Sequence, residues 1–420
     1  MNTQHKMIRP VLVTIVVYLV IWIVYVNYKS QVIHPNLNLN STFLQSQHRR
    51  WKHLQNKFQF IDFERLTNAQ ARLNRTFTFQ CLSVCGGLGD RIRGLLMAYL
   101  FALLSNRQLV IDMTSPSSFD RYFQPNIYEW IPISKITLEG NKLHLHAIDH
   151  NKHLVEQLNS TDFIQTWSSY EHIVLATNMD LLFPIFSNPH LQTHPVIKMF
   201  TKQMSIGEAN IQTLFSILFE ALLKPTDEVV RKLDDLLADK IQKDLVCIHL
   251  RIGKNPSNPR DSDLGYSANI TKQITDFILG KNLLPVTSTR VLFVSSDSIN
   301  GIEQISQSFP NRSFSVPGPI LQIDLPASNV NYDDGFMKVV LDFYLFGECH
   351  TSILTNSGFS AFANRRRINP YQNLYKYNTQ SSRFEQCMNL QSEKGWEIER
   401  SMFTKLFCPI MSSNKTIIDI

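Results

Sequence analysis

Between Pro10 and Tyr28 the chain carries no charge, and Val11–Val26 is an almost unbroken run of Val, Ile, Leu, Tyr and Trp. A helix of that length spans a bilayer. A cleaved signal peptide would have a shorter apolar core and a small-residue cleavage site, but Asn27-Tyr28-Lys29 follows here. The pattern therefore predicts a transmembrane signal-anchor over residues 10–28. Lys6 and Arg9 precede it and make residues 1–9 the cytoplasmic tail. Residues 29–78 turn to Asn, Gln and Arg without strand periodicity. They read as a stem, partly helical around Trp51–Phe63, with aromatics too sparse to build a core.

Beyond the stem, short apolar runs alternate with helical patterns. Phe77–Val84 reads as a buried strand, Cys85–Asp90 as a Gly-rich turn, Arg91–Asn106 as a helix apolar nearly all round, and Gln108–Met113 as the next strand. This β-turn-α-β unit is the opening of a Rossmann-like domain. It lacks the dinucleotide fingerprint, because Ile92 holds the third glycine position, and no Gly-Lys-Ser/Thr phosphate loop is present. No elements can be placed between residues 114 and 220. Pro225-Thr226-Asp227-Glu228 then starts a helix, with Thr226 as N-cap and the acids in its first turn. The domain boundary is expected there, giving domains at 79–224 and 225–420. In the second, strands are expected at Leu245–Leu250, Arg290–Ser295, Phe314–Val316 and Ser352–Thr355. Helices are expected near Asn269–Leu279, Ile302–Ser308, Phe336–Gly347 and Phe359–Arg366.

Composition narrows the class. A chain of 420 residues that is 44% hydrophobic and 18% charged builds sizeable cores. Its net charge of +6 suits an anionic small molecule, and no basic block with interleaved aromatics points to nucleic acid. None of the six cysteines forms a Cys-x-x-Cys pair, which argues against zinc or thioredoxin-like chemistry. Cys247 reads as a buried thiol within a strand, and Cys387 with Cys408 as a bridge. Asn40, Asn74, Asn159, Asn269, Asn311 and Asn414 each begin an Asn-x-Ser/Thr sequon, as in a chain that enters the secretory route.

The chemistry concentrates in Val246–Gly253. In a strand, His249 and Arg251 share one face; Gly253 closes the run before a loop rich in Pro, Asn and Asp. Strand ends of this kind are where α/β sheets bind ligands. An Arg there either holds a diphosphate or pairs with a buried carboxylate, and spacing alone leaves both open. His249-x-Arg251-x-Gly253 resembles the signature of the fucosyltransferase superfamily, which spans the α1,2-, α1,6- and protein O-fucosyltransferases. Cys85-Gly-Gly-Leu-Gly-Asp-Arg91 resembles that family's N-terminal Gly-rich turn. Asn356-Ser-Gly-Phe-Ser360 resembles its C-terminal Ser/Phe motif, with Gly358 where many members have a second Ser. The three stretches run in order over about residues 79 to 370.

The resemblance implies an α/β fold of the GT-B class. In that arrangement an N-terminal Rossmann-like acceptor domain (79–224) precedes a C-terminal nucleotide-sugar-binding domain (225–420). It also implies inverting transfer of L-fucose from GDP-fucose to a glycan hydroxyl, without metal, in the Golgi lumen. Arg251 would stabilise the leaving diphosphate, with His249, Gly253, Ser357, Phe359 and Ser360 around the donor. Asp342 would meet the guanine edge or form a structural salt bridge, and Asp297 would touch ribose or base. Asp90 would be either a helix N-cap or the general base. Asp261-Ser-Asp263 has the spacing of a metal-binding pair but reads as a solvated turn. Two other functions fit the same pattern: a GT-B transferase using another nucleotide sugar, and a non-catalytic glycan-binding relative.

Overall fold

A computed structural model describes residues 41–57, 72–149, 151–201, 211–240, 244–253, 269–324, 331–379, 381–387, 410–411 and 417–418. The expected tail and membrane span at 1–28, and Asn40, Asp261, Asp263, Cys408 and Asn414, lie outside them. Among the described residues no helix is long and apolar enough to cross a membrane.

Six strands form in the first part of the chain: β1 (Arg72–Gln80), β2 (Arg107–Asp112), β3 (Phe123–Pro125), β4 (Ile131–Pro132), β5 (Lys142–Ala147) and β6 (His172–Thr177). All but β3 make one parallel sheet, in the order β4-β2-β1-β6-β5. The helix between β1 and β2, Leu88–Ser105, buries Ile92, Leu95–Leu104 and their neighbours, as its all-round apolarity requires. β3 pairs antiparallel with β7 (Leu223–Pro225). The helix Asp227–Leu237 follows with Thr226 at its N-cap position, but the Thr226 hydroxyl donates to Arg121 O at 3.0 Å instead of capping.

The second sheet contains β8 (Leu245–Leu250), β9 (Val291–Ser296), β10 (Ser313–Phe314), β11 (Thr351–Leu354), β12 (Leu374–Asn378) and β13 (Arg383–Gln386). Its order is β10-β9-β8-β11-β12-β13, parallel except for β13. Strand alternation splits its side chains between two cores. Val246, Ile248, Leu250, Leu292, Val294 and Ile353 pack with the helices Ile270–Gly280 and Ile299–Ser308. Leu245, Cys247, Val291 and Phe293 face the other way, into a core continuous with the first sheet. His249, Ser295 and Asp297 belong by parity to this second set. The short strands β14 (Ile410–Met411) and β15 (Ile417–Ile418) pair with each other.

Several expectations are corrected. β1 begins at Arg72, inside the expected stem, and its helix starts at Leu88 rather than Arg91. The stretch thought too poor for a core forms the helix Thr42–Lys57 and buries Phe43, Trp51 and Leu54. Phe43 meets Tyr344 edge-on at 5.6 Å. Arg50, 2% exposed, donates to Gly347 O at 2.9 Å and to Glu348 Oε1 at 2.6 Å. Cys247 is not a thiol but bonds Cys349, with Cα atoms 5.9 Å apart. Cys247 pairs in register with Ser352, so the residue leading into β11 arrives beside it. Cys81 bonds Cys85 across the turn after β1. Cys387 is also disulfide-bonded; its expected partner is outside the described residues. Asn74, Asn159, Asn269 and Asn311 are all exposed.

Candidate active site

Parallel strands deliver their C-terminal ends to one edge of a sheet, and both sheets here present that edge to a common cleft of ≈ 450 Å³. From the first half it is lined by Gly86, Gly87, Leu88 and Asp90. β8 and the residue after it contribute His249 and Arg251, β9 and the residue after it contribute Ser295, Ser296 and Asp297, and the helix Tyr332–Phe346 contributes Lys338 and Asp342. The stretch Ile320–Asp324 and the turn Asn356–Phe359 complete it. The two helix N-termini meet there. A Cβ on Gly89 would stand 3.0 Å from Gly358 O, so the backbones approach as closely as glycine permits. Three stretches singled out in the sequence thus share one cavity.

Arg251 sits where β8 ends. Its N–H donates to Thr355 Oγ1 at 2.7 Å, and its Nη1 is paired with Asp297 Oδ2. Asp297 also accepts from Ile252 N–H at 2.8 Å and Gly253 N–H at 2.8 Å. Gly253 has φ +85°, which lets the chain fold back over that carboxylate. Asp297, expected at the ribose or base, lines the cleft while its oxygens also shape the Arg251 turn. The two readings of Arg251 are compatible, since the residue pairs with Asp297 and also lines the cleft, with 22% of its side chain exposed.

His249 is 6% exposed, and its ring lies 5.3 Å from Phe359 and 5.9 Å from Phe346. Burial, then Arg251 and Lys338, lower its pKa to about 3, so it is a neutral imidazole. Its Nδ1 is buried without a partner. Asp342 accepts from Ser295 Oγ at 2.9 Å and Lys338 Nζ at 3.1 Å through Oδ2, while Oδ1 has no partner. It is thus a structural salt bridge with one acceptor in reserve, its pKa raised by burial and held back by Lys338. Unpaired buried polar atoms are uncommon, and these two line the same cavity.

Ser357 takes the N-cap position of the helix Gly358–Arg365 without a side-chain capping bond. The residue lines the cleft. Phe359 packs against His249 and Phe343. Ser360 is fully buried and donates to Ser357 O at 3.3 Å, so it supports the turn from behind. Asp90 is not the N-cap, which is Gly87. It stands in the first helical turn, accepts from Arg93 Nη2 at 2.9 Å and has a pKa raised by burial. Asp90 and Gly86 also wall an adjoining cavity of ≈ 320 Å³ with Arg93, Asp149, Asn178, Met179 and Asp180. Sequence reading missed Lys338, Ser295 and Asp324. A lysine four residues before Asp342 on an apolar helix was the available signal for Lys338; Asp324 had none. Among the described residues no group of His, Cys, Asp or Glu is arranged to hold a metal ion.

No family model matches the chain, and no curated protein matches it in sequence. Solved structures do. FUT1 of Arabidopsis thaliana, a mutant in complex with GDP, is similar over 84% of both chains at 14% identity and a TM-score of 0.52. The fucosyltransferase NodZ from Bradyrhizobium is similar over 72% of this chain and 96% of its own, at 15% identity and a TM-score of 0.41. POFUT1 in complex with GDP is similar over 72% and 98%, at 14% identity and a TM-score of 0.39. The likeness to FUT1 establishes the fold: the two parallel-sheet halves and intervening cleft are those expected of the GT-B class.

Proposed function

We propose that the chain is a member of the fucosyltransferase superfamily that transfers L-fucose from GDP-fucose to a glycan hydroxyl with inversion. The observation that carries this reading is the meeting of Gly86–Asp90, His249–Arg251 and Ser357–Phe359 on one cleft. One of the neighbours named above is a fucosyltransferase by name, and the other two, FUT1 among them, were solved with GDP, which agrees with a nucleotide-sugar donor.

The donor's diphosphate lies against Arg251 and the N-terminus of the helix Gly358–Arg365, where backbone N–H groups and the helix dipole favour an anion. His249 Nδ1 and Asp342 Oδ1 take donor atoms that satisfy them, with the guanine edge as the partner of Asp342. The acceptor occupies the adjoining cavity. Its hydroxyl oxygen attacks the anomeric carbon, the carbon–oxygen bond to the phosphate breaks, and GDP leaves with the electron pair. Asp90 receives the hydroxyl proton; burial raises its affinity for that proton. No metal takes part. The uncharged span at 10–28 and the six sequons support a single-pass type II anchor with the catalytic region in the Golgi lumen. The test is incubation with GDP-fucose and a panel of neutral glycans, with other nucleotide sugars as competitors. GDP release coupled to fucosylated product supports the reading. Preference for a different nucleotide sugar, or donor-independent glycan binding, replaces it.

A further inference from the structure

We propose that Asp324 is a positioning residue that fixes the acceptor-side turn, and with it Asp90, against the donor half of the cleft. Asp324 lies on the stretch that follows β10, in the second half of the chain, yet its side-chain bonds run to the first. Its Oδ1 accepts from Cys85 N–H at 3.1 Å and its Oδ2 from Gly86 N–H at 2.7 Å. Arg91 Nη2 donates to Oδ1 at 2.9 Å. Arg91 is fully buried and also donates to Gly86 O at 3.0 Å, Ser83 O at 3.2 Å and Ser115 O at 2.6 Å.

The turn is therefore held on both sides. Its carbonyls rest on a guanidinium from its own half, and its amides on a carboxylate from the other half. The Cys81–Cys85 disulfide closes the loop just ahead. Asp90 begins one residue before Arg91 and lines both the donor cleft and the adjoining cavity. A charged acceptor shared by three donors is strong where it is partly buried, and the Asp324 side chain is 13% exposed. Without it nothing else among the described residues ties the amides of Cys85 and Gly86 to the second half. Misplacing a reacting group by about 1 Å costs on the order of 100-fold in rate.

The kinetic part rests on the sugar-transfer reading; the structural part does not. Asp324→Asn keeps the shape and removes the charge. Amide hydrogen exchange at Cys85 and Gly86, read without any ligand, should be at least tenfold faster in this variant. Transfer to the acceptor should fall about 10- to 100-fold, with GDP affinity changed less than threefold, so that the ratio of transfer to donor hydrolysis drops. Unchanged exchange overturns the clamp. Faster exchange with an unchanged ratio overturns the positioning role. A parallel loss of GDP affinity would make Asp324 a donor contact instead. If wild-type protein turns over no nucleotide sugar, the proposed function fails while the exchange result still decides the clamp. Asp324→Glu should restore part of the ratio, which a loss of stability alone would not allow.

Discussion

Arg251 is the residue on which the proposed reaction depends most, and its pairing with Asp297 decides what each substitution does. Two donors to phosphate oxygens in parallel cannot be reproduced by an ammonium. Negative charge on the bridging oxygen grows as the sugar bond breaks, so the contact is stronger in the transition state than in the ground state. Arg251→Ala should therefore lose about 10²–10³ in kcat, and Arg251→Lys should recover a small part. Because Asp297 then keeps two backbone partners, the alanine variant should still fold. A well-folded Arg251→Ala enzyme with near-normal kcat would return the residue to a purely structural pair. His249 gives a second prediction, in pH. Its ordinary value is 6.5 and burial, Arg251 and Lys338 bring it to about 3. The unfolded chain binds the proton first, so the stability tied to the neutral ring is present above pH 6.5 and is lost as pH falls towards 3. Asp90 and Asp342 run the other way: raised by burial, their contribution is present below 3.8 and is lost as pH rises. Denaturant titrations of His249→Asn should show a flatter acid side between pH 6 and 4 and an unchanged alkaline side. An identical slope in both proteins would mean that the imidazole is not held neutral.

The helix Thr42–Lys57 shows what elements add that single residues do not. It was expected as stem because its apolar positions are few, yet those few, Phe43, Trp51 and Leu54, are buried. Arg50 joins a charge network with Glu348, with Glu220 at 3.7 Å, and through Glu220 with Arg366 at 3.2 Å. These partners lie 170 residues or more away in sequence, where periodicity has no reach. Removing one member of a buried charge pair costs roughly 3–5 kcal/mol. Arg50→Ala should lower stability by about that amount, and a chain beginning at residue 60 should melt far below one beginning at residue 36. Equal melting temperatures would show that the helix only rests on the surface. The same division runs through the rest of the fold. β8 and the helix Tyr332–Phe346 were legible because an apolar run or an apolar face declares itself within a few residues. Each lies within a few residues of its expected bounds. Strands β4 and β5 were not legible, because β5 alternates exposed and half-buried residues at the sheet edge and β4 is two residues long. In the site, His249, Arg251 and Ser357 could be named from local motifs. The jobs of Asp297, Asp324 and Lys338 depend on which strand lies beside which, and Cys247 was misread for the same reason.

At the scale of the whole molecule, charge balance decides whether a metal is needed. A leaving nucleoside diphosphate brings several negative charges into a cleft that already holds Asp90, Asp297, Asp324 and Asp342. Each of these carboxylates has a cation beside it: Arg93, Arg251, Arg91 and Lys338 respectively. The local side-chain charge is thus close to balance, and what remains to attract phosphate is directional. It consists of the N-termini of the helices Leu88–Ser105 and Gly358–Arg365, which meet at Gly89 and Gly358 beside the Arg251 guanidinium. Aligned N–H groups at a helix start act as a fixed partial positive charge and need no counterion. A chain with a net charge of +6 also draws the anionic donor in from a distance, an effect that salt weakens. Three results follow if this account is right. Turnover should survive strong chelation, because no divalent ion completes the site. Raising ionic strength from 0.01 to 0.15 M should raise the donor KM several-fold, as the Debye length shrinks from about 30 to 8 Å, while kcat changes less, since charges paired inside a cleft are screened less than charges attracting across solvent. Loss of activity on chelation, with recovery on adding manganese, would instead assign charge compensation to Asp261 and Asp263, whose sequence pattern suits a metal and which lie outside the described residues.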